Sequence, residues 1–442
     1  MDAAALPPGP NQLRAFGFAS APFDFLDSCA RRYGDWFTLR FPGLTPFVFT
    51  SEPQAIRDVF AGDPEELRAG EANAPLGAFM GSHSLILLDG ATHLHERRLL
   101  LPPFHGERMH AYGELMCDIT DRFVDAWEPN RSFPLHSVMR DITFEVILSA
   151  VFGFAVGPER ARLRVPLLKL FRLIGSPLAA LLGVPLFQVE MGGLAPWGKA
   201  VRLKREIESV LYREFAARRA HGTAGRTDIL SMLLEARDES GAPMSDEALR
   251  DEMLTLMLAG HETTAAALAW AFYRLLSNPD VLTRVRDEIA PHRGDPRAVS
   301  QLPFLDAVVK ETSRLAPVVP NIGRKLRSAL QLGSRTLPAG VVVAPCIYLA
   351  HRRADFWPEP ERFEPDRFLE ARVNPTAFFP FGGGIRRCIG AAFATYETKV
   401  VLATVLARAE LRLARGYRPK VVRSSIAMAP SKGLPVELTT RR

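Results

Sequence analysis

The stretch that decides the fold is Phe381-Gly382-Gly383-Gly384-Ile385-Arg386-Arg387-Cys388-Ile389-Gly390. Three consecutive glycines open backbone conformations closed to other residues and let a flat ligand approach the chain closely. The stretch reads as a tight loop presenting one thiol, Cys388, with Arg386 and Arg387 beside it and a helix opening at Ala391. Cationic neighbours and a helix N-terminus both favour the thiolate, the form of cysteine that binds metals. A buried structural cysteine in a glycine-rich turn is the plain alternative, and the rest of the chain decides between them.

A second stretch lies in the middle of the sequence. Ser245-Asp246-Glu247 supplies an N-cap and first-turn acids, and Ser277-Asn278-Pro279 ends the helix that follows. From Met253 to Phe272 this helix is apolar nearly all the way round, the mark of a buried element. Set into it is Ala259-Gly260-His261-Glu262-Thr263-Thr264. An acid, two hydroxyls and a glycine are costly inside a buried helix, so function explains them better than chance. Hydroxyls bonded back to their own helix beside a satisfied acid are the structural alternative.

Phe381-x-x-Gly384-x-Arg386-x-Cys388-x-Gly390 resembles the haem-thiolate signature of the cytochrome P450 family at every fixed position, and Ala259 to Thr264 resembles that family's oxygen-binding helix element. Glu311-Thr312-Ser313-Arg314 and Pro365-Asp366-Arg367-Phe368 resemble two more of its motifs, in the family's order. The resemblance implies a mainly α fold with small β-sheets, one domain over residues 1–442, and haem b (iron protoporphyrin IX) between the central helix and the Cys388 loop. In that family the cysteine thiolate ligates iron and pushes electron density toward it. Cys388 would then be the metal ligand, Phe381 would pack beside the sulfur, Gly390 would close the loop, and Arg386 would meet a haem propionate. Ala259 and Gly260 would lie against the haem, Thr263 would donate toward dioxygen, and Glu262 would feed protons as a general acid. His261 stands at the variable position and receives no role. Glu311, Arg314 and Arg367 would form a structural cluster fixing the thiol loop.

The remaining expectations follow the chain. Helix, two short strands at Trp36 to Arg40 and Pro46 to Thr50, and helix are read between Phe23 and Phe60, with Pro42-Gly43 as the turn. Gly70 to Leu88 reads as an irregular loop, which by resemblance caps the substrate pocket through residues such as Phe79 and Ile86. His93 and Arg97 are four apart and share a helix face that grips one anion; by resemblance they hold haem propionates, as does Arg324. Leu101-Pro102-Pro103-Phe104 resembles a stretch of fatty-acid-hydroxylating bacterial relatives. Leu167 to Trp197 is either a mobile apolar lid or a pair of core helices. Val318, Val319 and Ile322 read as a strand entering the pocket, and Ser425 to Ala429, with Ala427 among them, reads either as a turn that reaches the substrate or as a plain hairpin.

Composition narrows the function classes. No linker, repeat or charge block divides the 442 residues, and 47% hydrophobic against 24% charged content is that of a globular protein. The formal charge of +6 comes from dispersed arginines rather than basic runs alternating with aromatics, so nucleic-acid binding is weakly supported. A basic face suits an acidic electron-transfer protein. Cys29, Cys117, Cys346 and Cys388 show no paired spacing, which points to a reducing cytoplasm. No signal peptide or membrane anchor is read at Met1 to Ala5. The expected function is monooxygenation of an apolar small molecule by O2. The electron donor would be a separate ferredoxin- or flavodoxin-type protein with its reductase. A medium or long fatty acid is the expected substrate, with macrolide, terpenoid or drug-like molecules as the alternative. A peroxide-driven relative or a haem-binding sensor would not need Glu262 and Thr263.

Overall fold

A computed structural model of the chain describes residues 6–15, 17–41, 43–104, 108–153, 158–174, 196–370 and 373–441. Its organising element is the helix Asp246–Leu276. The Ser245 side chain caps it by accepting from the Ala248 N–H, and Asp246 and Glu247 face the positive end of the helix dipole. Helix Leu135–Phe152 packs along it, buried on almost every side, and helix Ala391–Arg408 supports it from behind the thiol loop. Phe144, Ile147, Leu268, Phe272, Val401 and Leu406 belong to the one large apolar core these helices share.

A five-stranded sheet forms the flank. In chain order its strands are β1 (Trp36–Leu39), β2 (Phe47–Thr50), β3 (Leu67–Arg68), β4 (Arg324–Leu326) and β5 (Val342–Pro345). The spatial order is β1-β2-β5-β4-β3, with β2 and β5 parallel and the other pairs antiparallel. A hairpin of Val421–Ser424 and Ala427–Pro430 lies on the central helix, tied there by Trp270 Nε1 donating to Met428 O at 2.9 Å. The mainly α fold with small sheets is therefore as expected, as are the strand pair near residue 40 and the bounds of the central helix.

Two expectations are corrected. Val318 to Gly323 is not a strand; the strand begins one residue later, at Arg324. Pro317 and Pro320 bring no N–H to a ladder, so the segment is held by single bonds. Val318 O accepts from Met428 N at 2.8 Å, Pro320 O from Tyr348 N at 3.1 Å, and Ile322 N donates to Pro345 O at 3.2 Å. Gly70 to Leu88 is not irregular throughout either: short helical turns cover Ala69–Ala72, Ala74–Leu76 and Gly77–Met80. Pro42, most of the Leu167 to Trp197 stretch (175–195) and Met1 to Ala5 lie outside the described residues.

The Glu311 cluster forms as read from the sequence. Arg314 and Glu311 are both fully buried, with Nε–Oε2 at 2.7 Å and Nη2–Oε1 at 2.8 Å, and Arg367 Nε stands 3.6 Å from Glu311 Oε1. Arg314 also donates to His351 O at 2.9 Å and Pro360 O at 2.7 Å. His351 Nε2 in turn accepts from the Phe379 N–H at 2.9 Å, so the cluster reaches the start of the thiol loop. Removing one partner of a buried pair strands the other charge. Arg314→Ala should therefore cost about 3–5 kcal/mol, read as a lowered denaturant midpoint; an unchanged midpoint would contradict this account of the scaffold.

Candidate active site

The thiol loop is shaped by its glycines. Gly384 has φ +64°, and a Cβ there would lie 2.2 Å from Phe60 O, so no other residue fits. Cys388 N donates to Phe381 O at 3.0 Å and Arg387 N to Gly384 O at 3.1 Å, closing the loop just before Gly390 caps helix Ala391–Arg408. Cys388 has free surface, yet the chain surrounds it and desolvation pushes its thiol pKa up. A side chain that is both accessible and deeply enclosed lines an internal cavity. Arg387 favours the thiolate as expected, together with the Gly390 N–H at the start of the helix. Burial dominates, Arg97 and Arg387 oppose it, and Arg386 is engaged elsewhere.

Arg386 pairs with Asp89 Oδ1 at 2.5 Å and donates to Leu85 O at 3.2 Å and to Leu88 O. Asp89 also accepts from Gly70 N at 2.8 Å and Glu71 N at 2.9 Å, so this arginine locks both ends of the 70–89 segment. His93, Arg97 and Arg324 come to the same place from helix Gly90–Leu100 and from β4. His93 is buried with Nδ1 unpartnered among the described residues, and burial together with Arg386, Arg97 and Arg324 pushes its pKa down to about 3. Arg324 is buried and donates to Gly323 O at 2.8 Å. Among the described residues Asp89 is the acid facing this group. Three arginines against one carboxylate leave positive charge over, the complement of a flat ligand carrying two carboxylates above an enclosed thiol.

The central helix supplies the opposite wall. Between Asp251 and Phe272 every residue is buried except Ala259, Gly260, Thr263 and Ala267. Spacings of four put 259, 263 and 267 on one helix face, which is where the packed core gives way to open space. A Cβ on Gly260 would lie 3.0 Å from Ile147, so the glycine also lets helix Leu135–Phe152 approach. The Thr263 hydroxyl donates to Ala259 O at 2.6 Å. Glu262 is buried and well held: Ser424 Oγ donates to Oε1 at 2.5 Å, and Arg140 Nε lies 3.0 Å from Oε2. Arg140 is itself one-third exposed, so it carries the contact from the buried carboxyl toward solvent.

The candidate pocket residues do not form one group. Val318 and Ala427 meet beside Ala266 of the central helix, with Ala429 of the hairpin next to them. Phe79 and Ile86 pack with the main core. Ile322 sits instead against Ile56, Ile347 and Phe379, with Gly382 beside it, while Val319 is half-buried. Sequence reasoning missed Arg140, Ser424 and Asp89. Each is an ordinary polar residue in its own stretch, and only the fold brings it to a motif residue far away along the chain.

The family model for cytochrome P450 matches residues 6–435. Cytochrome P450 135B1 of Mycobacterium tuberculosis is 39% identical over 444 residues, covering 99% of this chain and 92% of that protein. Cytochrome P450 138 of the same organism is 36% identical, covering 97% and 95%. Among solved structures, the retinoic acid bound cyanobacterial CYP120A1 has a TM-score of 0.85 at 26% identity, covering 99% of both chains.

Burial lowers the pKa of His351 to about 3 and of His136 and His261 to about 4, from 6.5. The neutral forms are native, and below 6.5 the unfolded chain takes up protons that the folded chain refuses. Stability should hold above pH 6.5 and fall progressively toward pH 3. His351→Gln keeps an acceptor for the Phe379 N–H and removes one titrating site, so its stability should depend less steeply on pH across that window in chemical denaturation. An identical slope would remove His351 from the account.

Proposed function

The chain belongs to the cytochrome P450 family and is a haem b monooxygenase; from that premise we propose that it oxidises an apolar carboxylic acid, a medium or long fatty acid first. The observation that carries the assignment of the site is a cavity-lining thiol, Cys388, facing a His93, Arg97 and Arg324 cluster whose charge Asp89 and Arg386 leave unbalanced. Cys388 would hold the haem iron between Phe381 and Gly390. His93, Arg97, Arg324 and Arg386 would hold the propionates, Arg386 while also fixing the adjoining segment through Asp89. When bound, the haem supplies the activation of dioxygen and the transfer of one oxygen atom to a C–H or C=C bond.

The protein's own work is positional. Ala259 and Gly260 would leave room for the flat ligand, where larger side chains would intrude. Thr263 would hold a hydroxyl on the open face, and Glu262, the neighbouring residue in the chain, would hold a proton that solvent entering beside Arg140 replaces. Positioned acids of this kind contribute roughly 10²–10⁴-fold. Electrons would come from a ferredoxin- or flavodoxin-type protein with its reductase, and the +6 formal charge supports an acidic partner. The match over residues 6–435 supports a chain that works as one domain. Among the described residues no helix is long and apolar enough to cross a membrane, and the four cysteines are free, which supports a cytoplasmic protein.

For the substrate, the support is the Leu101 to Phe104 stretch and the retinoic acid of the structural relative, an apolar body ending in a carboxylate. Retinoic acid also favours a terpenoid acid as the second reading. Val318, Ala427, Phe79 and Ile86 would contact the apolar body, with Val319 and Ile322 further along.

Three measurements test these readings. The reduced, carbon-monoxide-bound protein should show the long-wavelength Soret band of thiolate ligation, and Cys388→Ser should lose it; a band surviving that change removes Cys388 as ligand. Thr263→Ala should keep the band and lose product by roughly 10²-fold or more. Long-chain fatty acids should convert the haem from low to high spin, with retinoic acid as the comparison. A flat fatty-acid titration alongside a response to macrolides would overturn the substrate reading alone.

A further inference from the structure

His261 is the one residue of the Ala259 to Thr264 stretch left without a role, and its surroundings are unusually specific. The side chain is 1% exposed. Its ring stacks on Phe171 of helix Pro158–Ile174 at 4.9 Å and 18°, and Phe144 of helix Leu135–Phe152 meets it edge-on at 5.5 Å and 90°. The ring is therefore fixed in orientation. Nδ1 lies 2.8 Å from Met257 O. A carbonyl oxygen only accepts, so Nδ1 carries the hydrogen and, in a neutral imidazole, Nε2 is a bare acceptor. Burial and the nearby Arg140 keep the ring neutral, pushing its pKa down to about 4.

That bare nitrogen has no hydrogen-bond donor among the described residues and stands 3.4 Å from Glu262 Oε2. An ionised carboxylate is also acceptor-only. Two acceptors facing each other in a dry site repel, and the nitrogen is left as an unsatisfied buried polar atom. A water cannot mediate in line, because two hydrogen bonds of about 2.8 Å each need more than this separation. Oε2 already has Arg140, so the atom left to satisfy is Nε2, and a proton between the two does so. The other polar groups packed around the pair are Arg140 on Oε2, Ser424 on Oε1 and His136 beside Arg140, and none of them supplies a hydrogen to Nε2.

We propose that His261 is a positioning residue for oxygen activation: one proton shared between its Nε2 and Glu262 Oε2 holds the carboxyl as a ready donor one residue from Thr263. This inference rests on Glu262 serving as the proton source of the monooxygenase reaction. The proton leaves from Oε2 toward the Thr263 face, and solvent reaching Arg140 replaces it. Because Phe171 belongs to a different helix, any movement of that helix over the cavity also moves the ring that holds the proton.

The test compares the haem-loaded wild type with His261→Phe, which keeps the ring and removes the acceptor, and His261→Gln, which restores an acceptor. Infrared difference spectra against Glu262→Gln isolate the carboxyl band of Glu262. A protonated carboxyl band is expected in the wild type, displaced or lost in His261→Phe and regained in His261→Gln. In turnover, His261→Phe should release several-fold more hydrogen peroxide per electron pair, while the carbon monoxide band and substrate-induced spin shift stay as in the wild type. An ionised Glu262 in the wild type, or a band indifferent to His261→Phe, would overturn the proposal even where the enzyme turns over normally. A wild type that binds haem and makes no product would instead count against the reading of the reaction itself.

Discussion

Enclosing a thiol that chemistry needs as an anion is the constraint on which this structure turns. Burial penalises the thiolate, and the arginines near Cys388 reduce that penalty without removing it. The chain answers with geometry rather than with charge alone. Gly384 admits a backbone conformation that brings the loop against Phe60 O, the Phe381 carbonyl closes it, and a helix begins directly behind the thiol. The shape of the loop is thus fixed by the chain itself.

That rigidity is relayed from far away. Arg314 commits its guanidinium to Glu311 and to backbone carbonyls of the 351–362 segment, and His351 hands the restraint to Phe379. A network of this kind gains little net free energy, since desolvation offsets most of the Coulomb attraction. Its value is that it permits one arrangement of a long irregular segment. On the other wall, Arg386 and Asp89 do the same for the segment 70–89.

The sequence was most informative where a rule of local chemistry was broken on purpose. Glycines in a row, an acid in an apolar helix and Ser245 ahead of a long hydrophobic run each led to the right element. Elements whose polar pairing is local, such as the central helix, had legible ends. Arg140, Ser424 and Asp89 were not legible, because nothing in their own stretches distinguishes a residue bound for solvent from one bound for a distant carboxylate or guanidinium. Val318 to Gly323 misled for a different reason. Its β-branched residues suit a strand, but Pro317 and Pro320 remove the donors that a ladder requires.

The open face of the central helix has an implication for how such a protein diversifies. Ala259, Thr263 and Ala267 are small, and the space beyond them is not core. Enlarging Ala267, away from the position next to the flat ligand, narrows the open space and leaves the interlocked interior intact. Substrate preference can thus drift along one stripe of a single helix, uncoupled from the mutations that would endanger folding, and lineages sharing this scaffold can explore new chemistry at little structural risk.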